Sequence, residues 1–514
     1  MTGTFCPLRL VKPRLNSINS TIPFKLVKIV VASPRTTPAE AAGINVKAEN
    51  EWLTLIQTAQ ARNINARRAK CHGSNVFTRT LIEVCKIPRE AWRQYLKFLG
   101  LSLADNYDRF FLVLIGISVA LRLLWLDVPS GYGTGGALIF DEFFYVNAAR
   151  AILGWQQGPD PNNIPFPGAV RGVDPNPGHP PLAKLMMAGS MLLLGNNAWG
   201  WRLPSVIMGS ISLLFFYPLL KKMGASGKMA LLSTYLMSFD ALIFVDSRVA
   251  ILDIFTLGFM VLGFYLYVTG RNRLSAVTLA LGTLCKIIGV YGFLVVVAYH
   301  FVSSLRKEKM AVSKSVLLAD LQWFFRFGYY YALTGFVALV ALSSVTGYKN
   351  PLDYLQFMTG NMLALAEVGA GGISSQPLQW LMNQVQIPYL EIGLQIGSTY
   401  VSAVAFWGGM NPFIIYLTIP AIAYAGYRYA ARNSQVALFL LCWFAMTYLP
   451  YFPLAYLYHR ISYLFYFQNT VPAVAGSIAL MLDNDRLPKT PVILYILLVF
   501  VGFSWYFPFK KIPP

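Results

Sequence analysis

The sequence predicts an all-α polytopic membrane protein with about eleven transmembrane helices and re-entrant or interfacial helices in its first outer loop. Three observations carry that prediction. Of the 514 residues, 56% are hydrophobic and only 12% charged, roughly half the charged share of a soluble chain. Apolar runs such as FFLVLIGISVALRLLWL, and LPSVIMGSISL leading into FFYPLL, approach or exceed the ~18 residues that mark a bilayer-spanning helix. Lys and Arg gather in the short loops between these runs, as cytoplasmic loops do under the positive-inside rule. The net charge of +20 is therefore a signal of topology, and no nucleic-acid partner is expected.

The elements follow in order. Residues 1–104 are polar and basic, with SPRTTPAEAAG and ARRAK among them. They contain no run long enough to span and no signal-like core after Met1, and are expected to form a poorly ordered cytoplasmic extension. Residues 105–350 form an N-terminal transmembrane half that includes a first outer loop, 127–181, rich in Pro and Gly. Residues 351–405 form a second long outer loop, and 406–514 the C-terminal transmembrane helices. The basic stretches LKKMGASGK (220–228), GRNR (270–273), LRKEKMAVSK (305–314), RYAAR (428–432) and DNDRLPK (483–489) are expected on the cytoplasmic side.

Parity constrains the threading. Residues 108–126 lead outward, and 203–220 must return to bring Lys221 and Lys222 to the cytoplasm. The intervening LAKLMMAGSMLLLG is about 14 residues long, short of the ~20 that a span needs, so it predicts a helix that does not cross. Residues 274–304 begin and end at basic loops and predict two helices that turn near CKIIGVYG. The five cysteines match neither a disulfide framework nor a zinc site; Cys285 and Cys442 fall in apolar segments and predict packing roles.

Ionisable residues in or beside a membrane are functional candidates, because each costs a few kcal/mol at mid-bilayer. Here they converge on one face. Asp141, Glu142 and His179 lie in the first outer loop, and Arg202 opens the next span. Asp240, Asp246, Arg248 and Asp253 cluster in SFDALIFVDSRVAILD, Lys286 sits at the next outer turn, and His459 and Arg460 occupy the last outer loop. Any one of them is explained as well by snorkelling or a structural ion pair. The set together suits an anionic substrate: cations clamp a phosphate and a carboxylate acts as a base. A transporter or flippase of an anionic lipid has a similar lining, but such proteins place the charged site near the midplane and show internal repeats, and no duplicated halves are visible here. For the adjacent Asp141 and Glu142, the alternative to catalysis is capping of a helix that begins near Phe143.

FDE at 140–142, NPGHPPLAKLMMAG at 176–189, WRLPSVIMGSI at 201–211, VDSRVAILD at 245–253 and CKIIGVYG at 285–292 together resemble the protein O-mannosyltransferases. These are multi-span glycosyltransferases of the GT-C fold that use polyprenyl-phosphate sugars. The resemblance covers about residues 105–510 and is strongest in the first half. It implies an inverting transfer of mannose from a dolichyl- or polyprenyl-phosphate donor to a Ser or Thr hydroxyl of a protein, with no metal or other cofactor. It also implies Asp141 as the catalytic base, Glu142 holding the acceptor, and Arg248, Lys286 and Arg202 near the lipid phosphate; the acid that does not face the acceptor oxygen can alternatively answer Arg202 or Arg248. His179 shapes the loop, and Asp253 and Tyr466 support the site. The YHYxP-like signature of the last third reads YLFYFQNTVPAVAG here: Tyr466 and Pro472 remain, the His does not, and His459 and Arg460 are the candidates to replace it. The second outer loop has no room for the soluble insert of the eukaryotic enzymes, which points to a prokaryotic plasma membrane and an extracytoplasmic site. Transfer to a lipid or glycan stays open as the alternative. Pairing with a second family member is compatible with the resemblance.

Overall fold

The computed structural model describes residues 89–128, 138–158, 164–307, 314–347, 350–364, 372–396, 399–484 and 486–507. The expected N-terminal extension therefore lies almost wholly outside the described residues. The chain from Leu96 onward forms one folded unit.

Helix α1 spans Asn106–Leu123, with Asp105 as its N-cap accepting from the Tyr107 amide. Its Asp108 is buried and accepts from Tyr217 Oη and Lys221 Nζ, both at 2.6 Å. Helix α2 (Glu142–Ile152) falls within residues 127–181, expected as the first outer loop, and α3 (Leu182–Leu194) follows directly on it. Helix α4, Ala198–Lys222, is capped by Asn197 and ends in Lys221 and Lys222, as the threading requires. Helix α5 (Gly227–Ser238) is capped by Ser226 and the short α6 (Ala241–Asp246) by Asp240. Asp240, a candidate from the sequence, is thus engaged with backbone amides: Ile243 at 3.1 Å and Asn411 at 3.2 Å.

Helix α7, Asp253–Val268, is apolar around nearly its whole circumference and accordingly lies at the centre of the bundle. It crosses α4 closely: a Cβ on Gly258 would stand 2.6 Å from Met208 Cε and 2.8 Å from the Met208 carbonyl oxygen. Helix α8 (Asn272–Cys285) and α9 (Val290–Lys307) are separated by Lys286, which is extended, and by a 3₁₀ turn, Ile287–Gly289. This is the expected pair of helices. The turn folds back so tightly that a Cβ on Gly289 would fall 2.5 Å from the Thr283 amide nitrogen, a space only glycine leaves open. Helix α10, Lys314–Val345, runs 32 residues with few buried side chains. After α11 (Pro351–Ala364), strands β1 (Ile387–Ile396) and β2 (Thr399–Gly408) pair antiparallel, with Ile387 opposite Gly408. Helices α12 (Thr418–Arg432), α13 (Gln435–Tyr448), α14 (Val471–Leu482) and α15 (Lys489–Tyr506) complete the unit.

The hairpin corrects the all-α expectation. It falls mostly within residues 351–405, expected as the second outer loop, where TYVSAVAFW is rich in the β-branched and aromatic residues that favour a strand, while apolar length alone does not register it. Among the described residues, five helices are long and apolar enough to cross a membrane: Ala198–Lys222, Ile287–Arg306, Lys314–Val345, Gln435–Tyr456 and Lys489–Tyr506. The threading counts about eleven. Helix α1 falls outside the five because Asp108, Arg109 and Arg122 share its 18 residues, and α7, α8 and α14 are shorter than a full span at 1.5 Å per residue.

Candidate active site

Two adjacent acids have separate environments. Glu142 is fully buried, and both its oxygens are saturated. Oε1 accepts from Arg202 Nε and the Ala250 amide, Oε2 from Arg202 Nη2 and the Ile139 amide, each at 2.8 Å. Arg202 Nη1 donates further to the carbonyls of Leu126 at 2.9 Å and Val128 at 3.2 Å. A bidentate guanidinium–carboxylate pair of this kind fixes orientation as well as charge. It ties the start of α2 to α4 and to the segment after α6.

Asp141 is half-buried. It occupies the N-cap position of α2 but makes no side-chain cap bond, so helix capping does not account for its carboxylate. The closest described donor is Tyr145, one helical turn on, whose hydroxyl lies 3.4 Å from Oδ2. The preceding Phe140 has φ 51°, an unusual conformation for an aromatic residue, and is held by stacking on Tyr389 of β1 at 4.3 Å with the rings 3° from parallel. The hairpin thus sets the backbone immediately before Asp141. Burial pushes the Asp141 carboxyl up to about 6; Lys286 opposes this, Asp253 reinforces it, and the Tyr145 hydrogen bond opposes it more weakly.

Lys286, in the break between α8 and the 3₁₀ turn, donates to Asp253 Oδ1 at 2.9 Å and Oδ2 at 2.7 Å. Its ammonium stands 5.0 Å from the ring centres of both Phe465 and Tyr466, within cation–π range. Arg460 lies 5.9 Å from the Tyr466 ring. Nearby, Asp246 Oδ1 accepts from Tyr389 Oη at 3.0 Å, and Oδ2 has no hydrogen-bond partner among the described residues. The half-buried His179 packs edge-on to Tyr145 at 5.8 Å. Burial, followed by Lys286, Lys184 and Arg460, holds it well below its usual pKa, so it is neutral near pH 7. Its backbone carbonyl accepts from Lys184 Nζ at 3.1 Å and from Tyr354 Oη at 2.6 Å. Lys184, itself fully buried, pairs with buried Asp174.

The structure therefore brings Asp141, Asp253, Lys286, His179, Tyr466 and Arg460 into one cluster. Glu142, Arg202 and Arg248 form a layer beside it. Arg248 bonds the carbonyls of Leu124 at 2.7 Å and Trp125 at 3.0 Å, and shares the Phe244 ring with Arg122. Two expectations are corrected by this layer: Glu142 has no acceptor capacity left for a substrate, and Arg202, 1% exposed, is turned to Glu142 and backbone carbonyls instead of a lipid phosphate. His459 is exposed, with φ 48°, and stands apart from the cluster because the chain turns there. Sequence reasoning missed Tyr389 and the Asp174–Lys184 pair. The i+4 spacing from Asp141 could have found Tyr145, whereas nothing local ties Tyr389 to a loop almost 250 residues earlier.

The helical bundle that gathers this carboxylate–cation cluster has the fold of the multi-span GT-C glycosyltransferase class. The S. cerevisiae protein O-mannosyltransferase Pmt1-Pmt2 complex bound to the sugar donor shares that fold, with a TM-score of 0.57 and 11% identity over 81% of this chain and 91% of that one. Within the class, residues 178–347 match the family model for dolichyl-phosphate-mannose-protein mannosyltransferase, so that segment carries the family's signature and the resemblance seen in the sequence holds. A polyprenol-phosphate-mannose–protein mannosyltransferase of Corynebacterium glutamicum is 24% identical over 74% of this chain and 86% of its own length. One from Mycolicibacterium smegmatis is 28% identical over 31% of this chain and 29% of its own; the chain spans less than a third of that relative in the matched region.

Proposed function

We propose that this protein is an inverting glycosyltransferase that moves mannose from a polyprenyl-phosphate donor to Ser or Thr hydroxyls of a protein acceptor, at the extracytoplasmic face of a prokaryotic membrane. The observation that carries this is the division between the two acids. Glu142 is saturated by Arg202 and backbone amides, while Asp141 is half-buried, raised to about 6 and faces Lys286 electrostatically. In this reaction the acceptor hydroxyl approaches Asp141, which removes its proton as the oxygen attacks the anomeric carbon. The bond to the phosphate oxygen breaks on the opposite face, and the lipid phosphate leaves with the electron pair. Lys286, helped by Arg460, stabilises the charge that develops there. Asp253 holds the Lys286 ammonium in place, and Tyr466 and Phe465 set their rings against it. No metal is required for this sequence, because the donor arrives already activated and protein cations face its leaving group.

The reading is tested in membranes expressing the chain, supplied with labelled polyprenyl-phosphate mannose and a Ser/Thr-rich peptide. Peptide label that disappears in Asp141→Asn supports it. Label that enters lipid or glycan instead changes the acceptor, and equal peptide label in both forms removes Asp141 from the chemistry.

A further inference from the structure

We propose that the basic end of the bundle carries a second ligand site, formed by Arg271, Arg273 and Arg326, for the phosphate headgroup of an anionic phospholipid. The three arginines line a cavity of about 520 Å³ with Asn272, Trp323 and Tyr330. No carboxylate is among its lining residues, and among the described residues none of the three arginines is paired with an acid. Arg273 lies over the Tyr330 ring at 5.3 Å and Arg271 over Phe98 at 4.9 Å. A guanidinium packed on an aromatic ring keeps N–H donors to offer a phosphate. The acid of the adjoining cavity, Asp320, faces His300 at 3.5 Å.

The depth of the cavity selects a lipid as the source of the phosphate. From Phe327 to Val345, helix α10 carries no charged residue. These nineteen residues rise roughly 28 Å, close to the ~30 Å thickness of a hydrocarbon core. Arg326 therefore marks the level at which hydrocarbon gives way to headgroups, and Trp323 and Tyr330 beside it have the amphipathic character of an interfacial belt. On the same stretch Phe325 is 68% exposed and Tyr329 61%, so the helix beside the cavity presents aromatic side chains outward at the same level, where acyl chains begin. The site is distinct from the cluster at Lys286: the whole of α8, some 21 Å at 1.5 Å per residue, separates Arg271 from it.

The test uses the full chain in nanodiscs of phosphatidylcholine containing a minority of brominated phosphatidylglycerol, with brominated phosphatidylcholine as the control quencher. The Trp323 contribution is isolated by difference from Trp323→Phe. Phosphatidylglycerol is expected to quench Trp323 at severalfold lower mole fraction than phosphatidylcholine. That preference should shrink with each arginine replaced, by at most the roughly fivefold that one basic residue contributes at an anionic surface. It should vanish in the triple variant Arg271→Gln, Arg273→Gln, Arg326→Gln. Arg326→Gln alone carries the test should the triple variant fail to fold. Equal quenching by the two lipids, or a preference unchanged by either variant, overturns the proposal. Loss of the preference on adding inorganic phosphate, at an ionic strength matched with chloride, overturns the lipid assignment in favour of a soluble phosphate.

Discussion

Asp141→Asn and Glu142→Gln remove one charge each from neighbouring positions, and the structure predicts opposite consequences. The Asp141 carboxylate has one long described contact, 3.4 Å from Tyr145 Oη, so an amide there should barely change folding. If Asp141 is the base, kcat should fall by ~10²–10⁴, the usual contribution of a positioned proton acceptor, with KM for the donor little altered. Glu142 differs. It is buried, and four donors converge on its two oxygens. A glutamine there turns an NH₂ group toward at least one of those donors and leaves Arg202 without its counter-charge. Removing one partner of a buried ion pair costs about 3–5 kcal/mol. Glu142→Gln should therefore lower the folded yield and the melting temperature in detergent before any specific effect on kcat is seen. The assay is transfer of labelled mannose to peptide, normalised to monodisperse protein, beside a thermal melt of each variant. An Asp141→Asn enzyme with near-normal kcat would refute the division of roles. So would a Glu142→Gln protein that melts like wild type but transfers no sugar.

The remaining predictions follow from the same contacts. With Asp141 raised to about 6, its base form is lost as pH falls, so kcat should drop about tenfold per pH unit below that value and level off above it. Lys286→Gln should move this limb to higher pH, because the lysine charge opposes the upward shift of Asp141, and should also raise KM for the donor; a limb that stays in place would separate the two groups. Tyr389→Phe keeps the ring that stacks on Phe140 and loses the 3.0 Å hydrogen bond to Asp246, which should destabilise the protein by about 1–3 kcal/mol, read as a lower melting temperature. Gly258→Ala places a methyl group against Met208 and should cost about 1–3 kcal/mol by overpacking the α4–α7 crossing; an unchanged melt would show that the crossing can relax.

What was legible in the sequence is what short-range pattern encodes. Apolar runs and basic loops located α4, the α8–α9 break and the short α3, because hydrophobic length and loop charge act locally along the chain. Asp141, Asp253 and Lys286 were visible as charges where charge is costly. The partner of each charge was visible at most as an alternative, as for Glu142, where Arg202 was one of two expected partners. Arg202 answers an acid 60 positions earlier, and Tyr389 stacks on Phe140 from a strand of a later loop; only the tertiary fold sets such pairings. The hairpin was passed over because a search for long apolar runs does not register strands of ten residues.

Adjacency itself explains why the two acids can hold different roles. Successive residues at the start of a helix project about 100° apart, so one side chain can point into the bundle while its neighbour looks to the Lys286 cluster. Glu142 takes the inward direction and meets Arg202 and two backbone amides. That network fixes the first turn of α2, and with it the direction of Asp141. Phe140, held in a left-handed conformation against Tyr389, constrains the same carboxylate from the other side. A base fixed at both flanks, with only one weak hydrogen bond of its own, retains its lone pairs for an incoming hydroxyl. Had Asp141 carried the Arg202 pair instead, its acceptor positions would be filled and its pKa low, and the cluster would hold a structural anion with no proton acceptor.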